Sequence, residues 1–242
     1  MNEFNILDKL LEERDMDYKG GLYHETQIRL AYNSNRIEGS SLSEEQTRFM
    51  YETGSIFGNQ EKAIRTDDIV EMNNHFFLFN RMLDTAKTHL SEDLIKEYHL
   101  ILKRGTSDER KSWFNVGKYK KLANSIGNIE TSPPETVQSH MEELLFRYNA
   151  LEVKKLDDLI EFHYKFETIH PFQDGNGRVG RIILFKECLA NRIMPFIIQE
   201  KNKSYYYRGL TEYKREKGYL FSTCSHEQIE YQMRVEYFYP GI

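Results

Sequence analysis

Apolar residues recur at three- and four-residue spacing along most of the chain, the pattern of helices that bury one stripe. In LDDLIEFHYKFETI, Leu159, Phe162, Phe166 and Ile169 fall on one face. In RVGRIILFKECLANR, Val179, Ile182, Ile183 and Leu189 do the same. TDDIVEMNNHFFLFNRMLDTAKT opens with Thr66 and two acids, which predicts a helix capped by Thr66. SEDLIKEYHLILKRG has Ser91 ahead of its acids and ends on Lys103, Arg104 and Gly105, so both of its ends are marked. PPETVQSHMEELLFRYNAL begins at prolines, as a first helical turn tolerates. The exception is residues 115–131, NVGKYKKLANSIGNIET, where Gly117, Gly127 and Asn128 break any helix and short alternating runs flank ANS. That pattern predicts a β-hairpin. With no repeat, low-complexity tract or linker, the expectation is a mainly α fold: one helical domain over residues 1–242 with a single exposed hairpin.

Composition narrows the function classes. The 242 residues are 39% hydrophobic and 13% aromatic, enough to bury a core rather than stay disordered. A net charge of −5 argues against a general nucleic-acid or anionic-membrane binder. Cys188 and Cys224 form neither a disulfide framework nor a zinc pattern. The N-terminal stretch carries acids throughout, unlike a signal or transit peptide, and no window approaches the ~18 apolar residues of a membrane span. The chain reads as cytoplasmic, with neither membrane nor nucleic acid as a partner.

The chemistry concentrates in HPFQDGNGRVGR, residues 170–181. Gly175 and Gly177 bracket Asn176, so the backbone can turn sharply and present its N–H groups. A helix then starts at about Asn176 to Arg178, with a partial positive charge at that end. Arg178 and Arg181 near this end work against the dipole, a conflict that a bound anion would resolve. The two arginines share a face and could clamp phosphates. Asp174, before the turn, is placed to hold a divalent cation bridging phosphates. His170 precedes Pro171, which predicts an extended segment suited to a general base at the mouth of the site. Phe172 is assigned to the core.

HPFQDGNGRVGR resembles in full the signature of the Fic (filamentation induced by cAMP) family, His-Pro-Phe-x-Asp/Glu-Gly-Asn-Gly-Arg-x-x-Arg. Similarity extends from about residue 22 to 220, including IGNIETSPPETVQSHM and YYRGL. The resemblance implies a helical Fic-like domain whose usual activity is AMPylation, the transfer of AMP from ATP to a Ser, Thr or Tyr hydroxyl of a target protein. His170 would then be the base, Asp174 would bind Mg²⁺ or Mn²⁺, Gly175, Asn176 and Gly177 would form the anion nest, and Arg178 and Arg181 would hold the outer phosphates. Kinases of the related Doc type carry Lys where this chain has Gly177, so nucleotidyl transfer is favoured over phosphorylation. Phosphocholine transfer, known in a divergent relative, is not excluded by the motif. The segment at 115–131 resembles the family's flap, which docks the target protein by strand addition. Lys118, Lys120 and Lys121 would there steer phosphate or an acidic target, or simply protect an exposed edge. NKSYYYRGLTEY resembles the adenine-side helix, with Tyr206 and Tyr207 as its paired aromatics. Relatives often self-associate, which leaves a homo-oligomer open.

Upstream, AYNSNRIEGSSLS sets Ser34 and Glu38 four apart on one helix face, with Gly39 to end the helix. Beside a Fic core this resembles the family's inhibitory motif, Ser/Thr-x-x-x-Glu-Gly/Asn, on a helix of about residues 22–38. The resemblance implies that Glu38 pairs with Arg181, with Ser34 fixing the carboxylate, and leaves ATP out of line for attack. Two alternatives stand beside an autoinhibited transferase. One is a de-AMPylating hydrolase that uses Glu38 to align water. The other is a non-catalytic ATP-binding interaction protein, against which an intact His170 argues.

Overall fold

Residues Asn176–Ala190 form a helix whose side chains are buried from Asn176 to Leu189, and the rest of the fold is built around it. The computed structural model describes residues 5–57, 63–126 and 129–241. In chain order its helices are α1 (Ile6–Asp15), α2 (Leu22–Ile37), α3 (Glu44–Thr53), α4 (Thr66–Asp84), α5 (Glu92–Lys103), α6 (Pro134–Asn149), α7 (Leu156–Ile169), α8 (Asn176–Ala190), α9 (Lys203–Glu212) and α10 (Gly218–Phe238). Helix α8 packs against α2, α4, α5 and α7, and α9 against α10. Among the described residues no helix is long and apolar enough to cross a membrane.

The predicted stripes are the ones that bury. Leu159, Phe162, Phe166 and Ile169 of α7 and Val179, Ile182, Ile183 and Leu189 of α8 belong to one large core cluster, together with Phe172. A helix buried all round must also neutralise its charges. On α8, Lys186 pairs with Glu187 at 2.7 Å and donates to the Thr88 carbonyl, while the Tyr148 hydroxyl donates to Glu187.

Two local expectations change. Ser91 does cap α5, accepting from the Leu94 N–H at 3.2 Å. Thr66 does not cap α4: Arg65 holds the cap position without a side-chain bond, and Asp67 is instead engaged by the Ser107 N–H and hydroxyl. The 115–131 stretch is mostly turn. Strand pairing is confined to Ser125–Ile126 against Ile129–Glu130, antiparallel, and residues 127–128 lie outside the described residues. Hydrogen bonds to the 170–181 loop take the place of a long ladder. The Lys120 N–H donates to the Pro171 carbonyl at 2.9 Å, Asn124 donates to the Phe172 carbonyl at 3.0 Å, and the Leu122 N–H donates to Gln173.

Candidate active site

The loop that joins α7 to α8 is held in shape by its own side chains. Asn176 accepts from the Phe172 N–H and donates to the Phe172 carbonyl, both at 2.8 Å, so its amide closes the turn and only its main chain faces the site. Gly175 sits at φ 82° as the residue before α8, a conformation glycine adopts without steric cost. The first main-chain bond of α8 runs from the Val179 N–H to the Gly175 carbonyl, which leaves the preceding N–H groups at an open helix start. From α5, His99 clamps the loop: its Nδ1 accepts from the Gly117 N–H, so Nε2 carries the proton and donates to the Asp174 carbonyl at 3.0 Å. The His99 ring lies flat on Phe172, with centroids 4.0 Å apart.

His170 is not extended. It ends α7 in the left-handed region at φ 52°, an uncommon conformation for any residue but glycine. This turn carries its ring out of the helix and into the pocket. Burial, with Lys120 nearby, lowers the imidazole pKa to about 4, and Nδ1 makes no hydrogen bond among the described residues.

The two arginines meet anions supplied by the chain. Arg181 donates through Nε to Ser34 Oγ at 3.0 Å and through Nη2 to the Ser34 carbonyl at 2.9 Å and to Glu38 Oε1 at 2.8 Å. Burial opposes the charge on Arg181, but Glu38, Tyr206 and Glu167 together outweigh it and raise its pKa. The expected pairing of Ser34, Glu38 and Arg181 is therefore present. Glu38 also lies against the start of α8, because a Cβ at Gly177 would overlap its Oε1. Arg178 pairs with Glu71 of α4 and with Asp174 Oδ2 at 3.3 Å, and donates to Asn35 at 3.3 Å. The anions that resolve the dipole conflict are thus carboxylates from α4 and the end of α2, beside Asp174 itself.

Asp174 has a further neighbour. Lys103 Nζ lies 2.5 Å from Glu71 Oε1, 2.6 Å from Asp108 Oδ2 and 2.6 Å from Asp174 Oδ2. Burial alone would raise the Asp174 pKa, yet Arg178 and Lys103 hold it well below the usual carboxylate range. Glu71, Asp108 and Asp174 bring carboxylate oxygens within 4.8 Å of one another, a candidate cation cluster, and the Asp174 side chain is 51% exposed at its edge.

A pocket of about 120 Å³ opens at the start of α8, lined among others by Glu38, Thr131, Glu167, His170, Arg181 and Tyr207. Tyr206 is its inner wall: the ring is 1% exposed and its hydroxyl meets His163 Nε2 at 2.7 Å, so it has no free face for a base. Tyr207 is 37% exposed and its hydroxyl donates to the Ile37 carbonyl at 3.3 Å. Lys120 is turned inward to Asn124, Thr131 and the Ile169 carbonyl, which overturns a steering role for it at the surface.

The sequence pattern brought His170, Asp174, Gly175, Gly177, Arg178, Arg181, Ser34 and Glu38 to one place but missed Glu71, His99, Lys103, Asp108 and Glu167. Glu167 is buried, its Oε1 makes no hydrogen bond among the described residues, and burial raises its pKa to about 8. Glu71 lies 107 residues from Arg178, His99 75 from Asp174 and Lys103 71 from Asp174, while Glu167 sits inside a helix pattern with nothing local to mark it.

A buried helix start with two arginines, an adjacent histidine and a carboxylate is an arrangement chemically able to receive phosphate. Residues 89–188 match the Fic/DOC family. It is 27% identical over 214 residues to a protein adenylyltransferase of Caenorhabditis elegans, covering 86% of this chain and 40% of that protein. It is 25% identical over 227 residues to a protein adenylyltransferase of Nematostella vectensis, covering 86% and 50%. A probable protein adenylyltransferase of Aquifex aeolicus is 32% identical over 133 residues, covering 52% and 38%. The chain thus spans two fifths to one half of the length of these relatives. In fold it is similar to a Fic domain containing signaling protein of Bacteroides thetaiotaomicron, with a TM-score of 0.75, 20% identity and 95% of each chain covered. Fic-1 of C. elegans gives a TM-score of 0.72 at 20% identity, covering 95% of this chain and 70% of that one.

Proposed function

We propose that this site transfers AMP from ATP to a Ser, Thr or Tyr hydroxyl of a protein, releasing pyrophosphate, and that Glu38 restrains it. The observation that carries the proposal is the carboxylate of Glu38 bound to Arg181 over Gly177. An anion is best stabilised at that end of α8, so Glu38 stands where phosphate would bind. The pocket, at about 120 Å³, is smaller than the ~300–1,000 Å³ of typical ligand sites, in keeping with a side chain that takes up its space. The relatives named as protein adenylyltransferases support the same reaction.

His170, neutral near pH 7 because burial lowers its pKa to about 4, accepts the proton of the target hydroxyl. The hydroxyl oxygen bonds to the α-phosphorus as the bond to pyrophosphate breaks, and pyrophosphate leaves with the electron pair. The N–H groups of Gly177 and its neighbours receive the α-phosphate oxygens, and Arg178 and Arg181 the outer phosphates. Positioning and charge neutralisation supply most of the acceleration. Asp174 would hold Mg²⁺ or Mn²⁺, which supplies further neutralisation of phosphate charge when bound. Tyr207 borders the nucleoside side of the pocket, with Tyr206 behind it. The strand pair at 125–130 would take the target backbone as an added strand.

The test compares wild type, Glu38→Gly and Glu38→Gly/His170→Ala with α-labelled ATP, Mg²⁺ and lysate. The expected outcome is weak labelling, labelling stronger by on the order of 100-fold, and none. If Glu38→Gly is folded and binds ATP but labels no protein, itself included, the transferase reading is wrong. Release of AMP from a labelled product by wild type, lost in Glu38→Gly, would assign Glu38 the hydrolytic role instead.

A further inference from the structure

Lys103 was marked by sequence only as the basic end of a helix, where a cation suits the dipole. It does not point to solvent. Its side chain is 2% exposed and its ammonium is the centre of a shell formed by Glu71, Asp108 and Asp174. The three carboxylates bring oxygens within 4.8 Å of one another, close enough to share one ion, and the ammonium sits among them. The nitrogen therefore occupies the point at which a metal ion bound by all three carboxylates would sit. Charge is balanced there without a metal: Arg178 faces Glu71 and Asp174, and Lys111 meets Asp108 at 2.5 Å. The stem of Lys103 is fixed beside the motif loop, where a Cβ at Gly175 would lie 3.5 Å from its Cδ.

We propose that Lys103 is a positioning residue, a built-in cation that keeps Glu71 and Asp108 from joining Asp174 in a metal site. The inference rests on the reading above that Asp174 is the metal-binding carboxylate. Lys103 fixes Asp174 through Oδ2 and leaves it as the single carboxylate offered to a divalent ion. One carboxylate binds such an ion weakly in water, so the metal arrives with the phosphates of the nucleotide rather than ahead of them. A second ion in the triad would have to evict a buried ammonium from three carboxylates.

The test is Mn²⁺ binding, read from the paramagnetic resonance of the free ion, without nucleotide. Wild type binds weakly. Lys103→Ala, which removes the ammonium and opens its space, binds at least about tenfold tighter, as three carboxylates converge on one ion, and its melting temperature rises on adding Mn²⁺. Asp108→Asn in the Lys103→Ala background cancels the gain. A purely structural Lys103 would lower stability and leave Mn²⁺ affinity unchanged, and that result overturns the proposal, as does a gain that survives Asp108→Asn. A second measurement stands even if Lys103→Ala does not fold. With α,β-methylene ATP, otherwise wild-type protein carrying Asp108→Asn keeps its Mn²⁺ affinity at one ion per chain, whereas Asp174→Asn loses it. Weakened binding in Asp108→Asn would show that Lys103 does not exclude Asp108. None of these readouts involves AMP transfer, so failure of label transfer in Glu38→Gly would reject the transferase reading and leave the metal result standing.

Discussion

Three residues apart at the end of α7, Glu167 and His170 are both moved by burial toward their neutral forms. For His170 this means that the base is already deprotonated across the physiological range. The acid limb of kcat/KM in Glu38→Gly is expected near pH 4 rather than near the ~6.5 of free histidine, and a limb near 6.5 would show that the ring is not held neutral. For Glu167 the consequence is for stability. Its folded pKa, about 8, lies above its unfolded value, so its contribution is fully present below about pH 4.5 and is lost as pH rises to about 8. Glu167→Gln should remove that slope, with a melting temperature that gains on wild type progressively between those limits; an unchanged slope would place the proton elsewhere. Single residues were legible where one short motif demanded several chemistries at once, as at 170–181. Lys103 could not be read, because a lysine at a helix end is ordinary and its three anions come from separate parts of the chain.

At the level of elements, the apolar stripes were enough to place α5, α6, α7 and α8, because each stripe is buried, although α8 is buried on its other faces as well. The start of α4 was misread because Asp67 reaches across to Ser107, a tertiary contact with no local trace. The 115–131 stretch read as a full hairpin because glycines and short alternating runs suit a strand turn. Its main-chain groups bond instead to the motif loop, and two residues on each side are left to pair. Helix contacts carry their own prediction. A Cβ at Gly209 of α9 would come within 2.7 Å of the Leu220 Cα of α10, which is main chain that cannot swing aside. Gly209→Ala should cost about 1–3 kcal/mol in urea unfolding by forcing the two helices apart, and a neutral result would show that α9 rides freely on α10.

Across the whole molecule, the ion pairs of Arg178 and Arg181 tie α8 to α4 and to the end of α2. Removing Glu38 leaves Arg181, which is 4% exposed, without its carboxylate. Because Glu38 itself is partly open to water, the loss should be modest, about 1–2 kcal/mol. ATP should then recover stability more strongly in Glu38→Gly/His170→Ala than in His170→Ala, as a larger thermal shift at equal nucleotide. Equal shifts would mean that phosphate does not take the place of Glu38.

The last turn of α2 gives this contact a particular character. Ser34 and Asn35 are buried, Asn33 accepts from the Glu200 N–H at 2.8 Å, and Glu38 follows the helix as its cap before Gly39 turns left-handed at φ 92°. The helix is thus anchored, while the Glu38 side chain beyond it is partly exposed. On the proposed reading, Glu38 is a tethered rival of the nucleotide whose effective molarity is set by geometry and cannot be diluted. A cell could not relieve it by making less of the protein. It could do so by raising ATP, or by any contact that draws one side chain aside while the helix stays where it is.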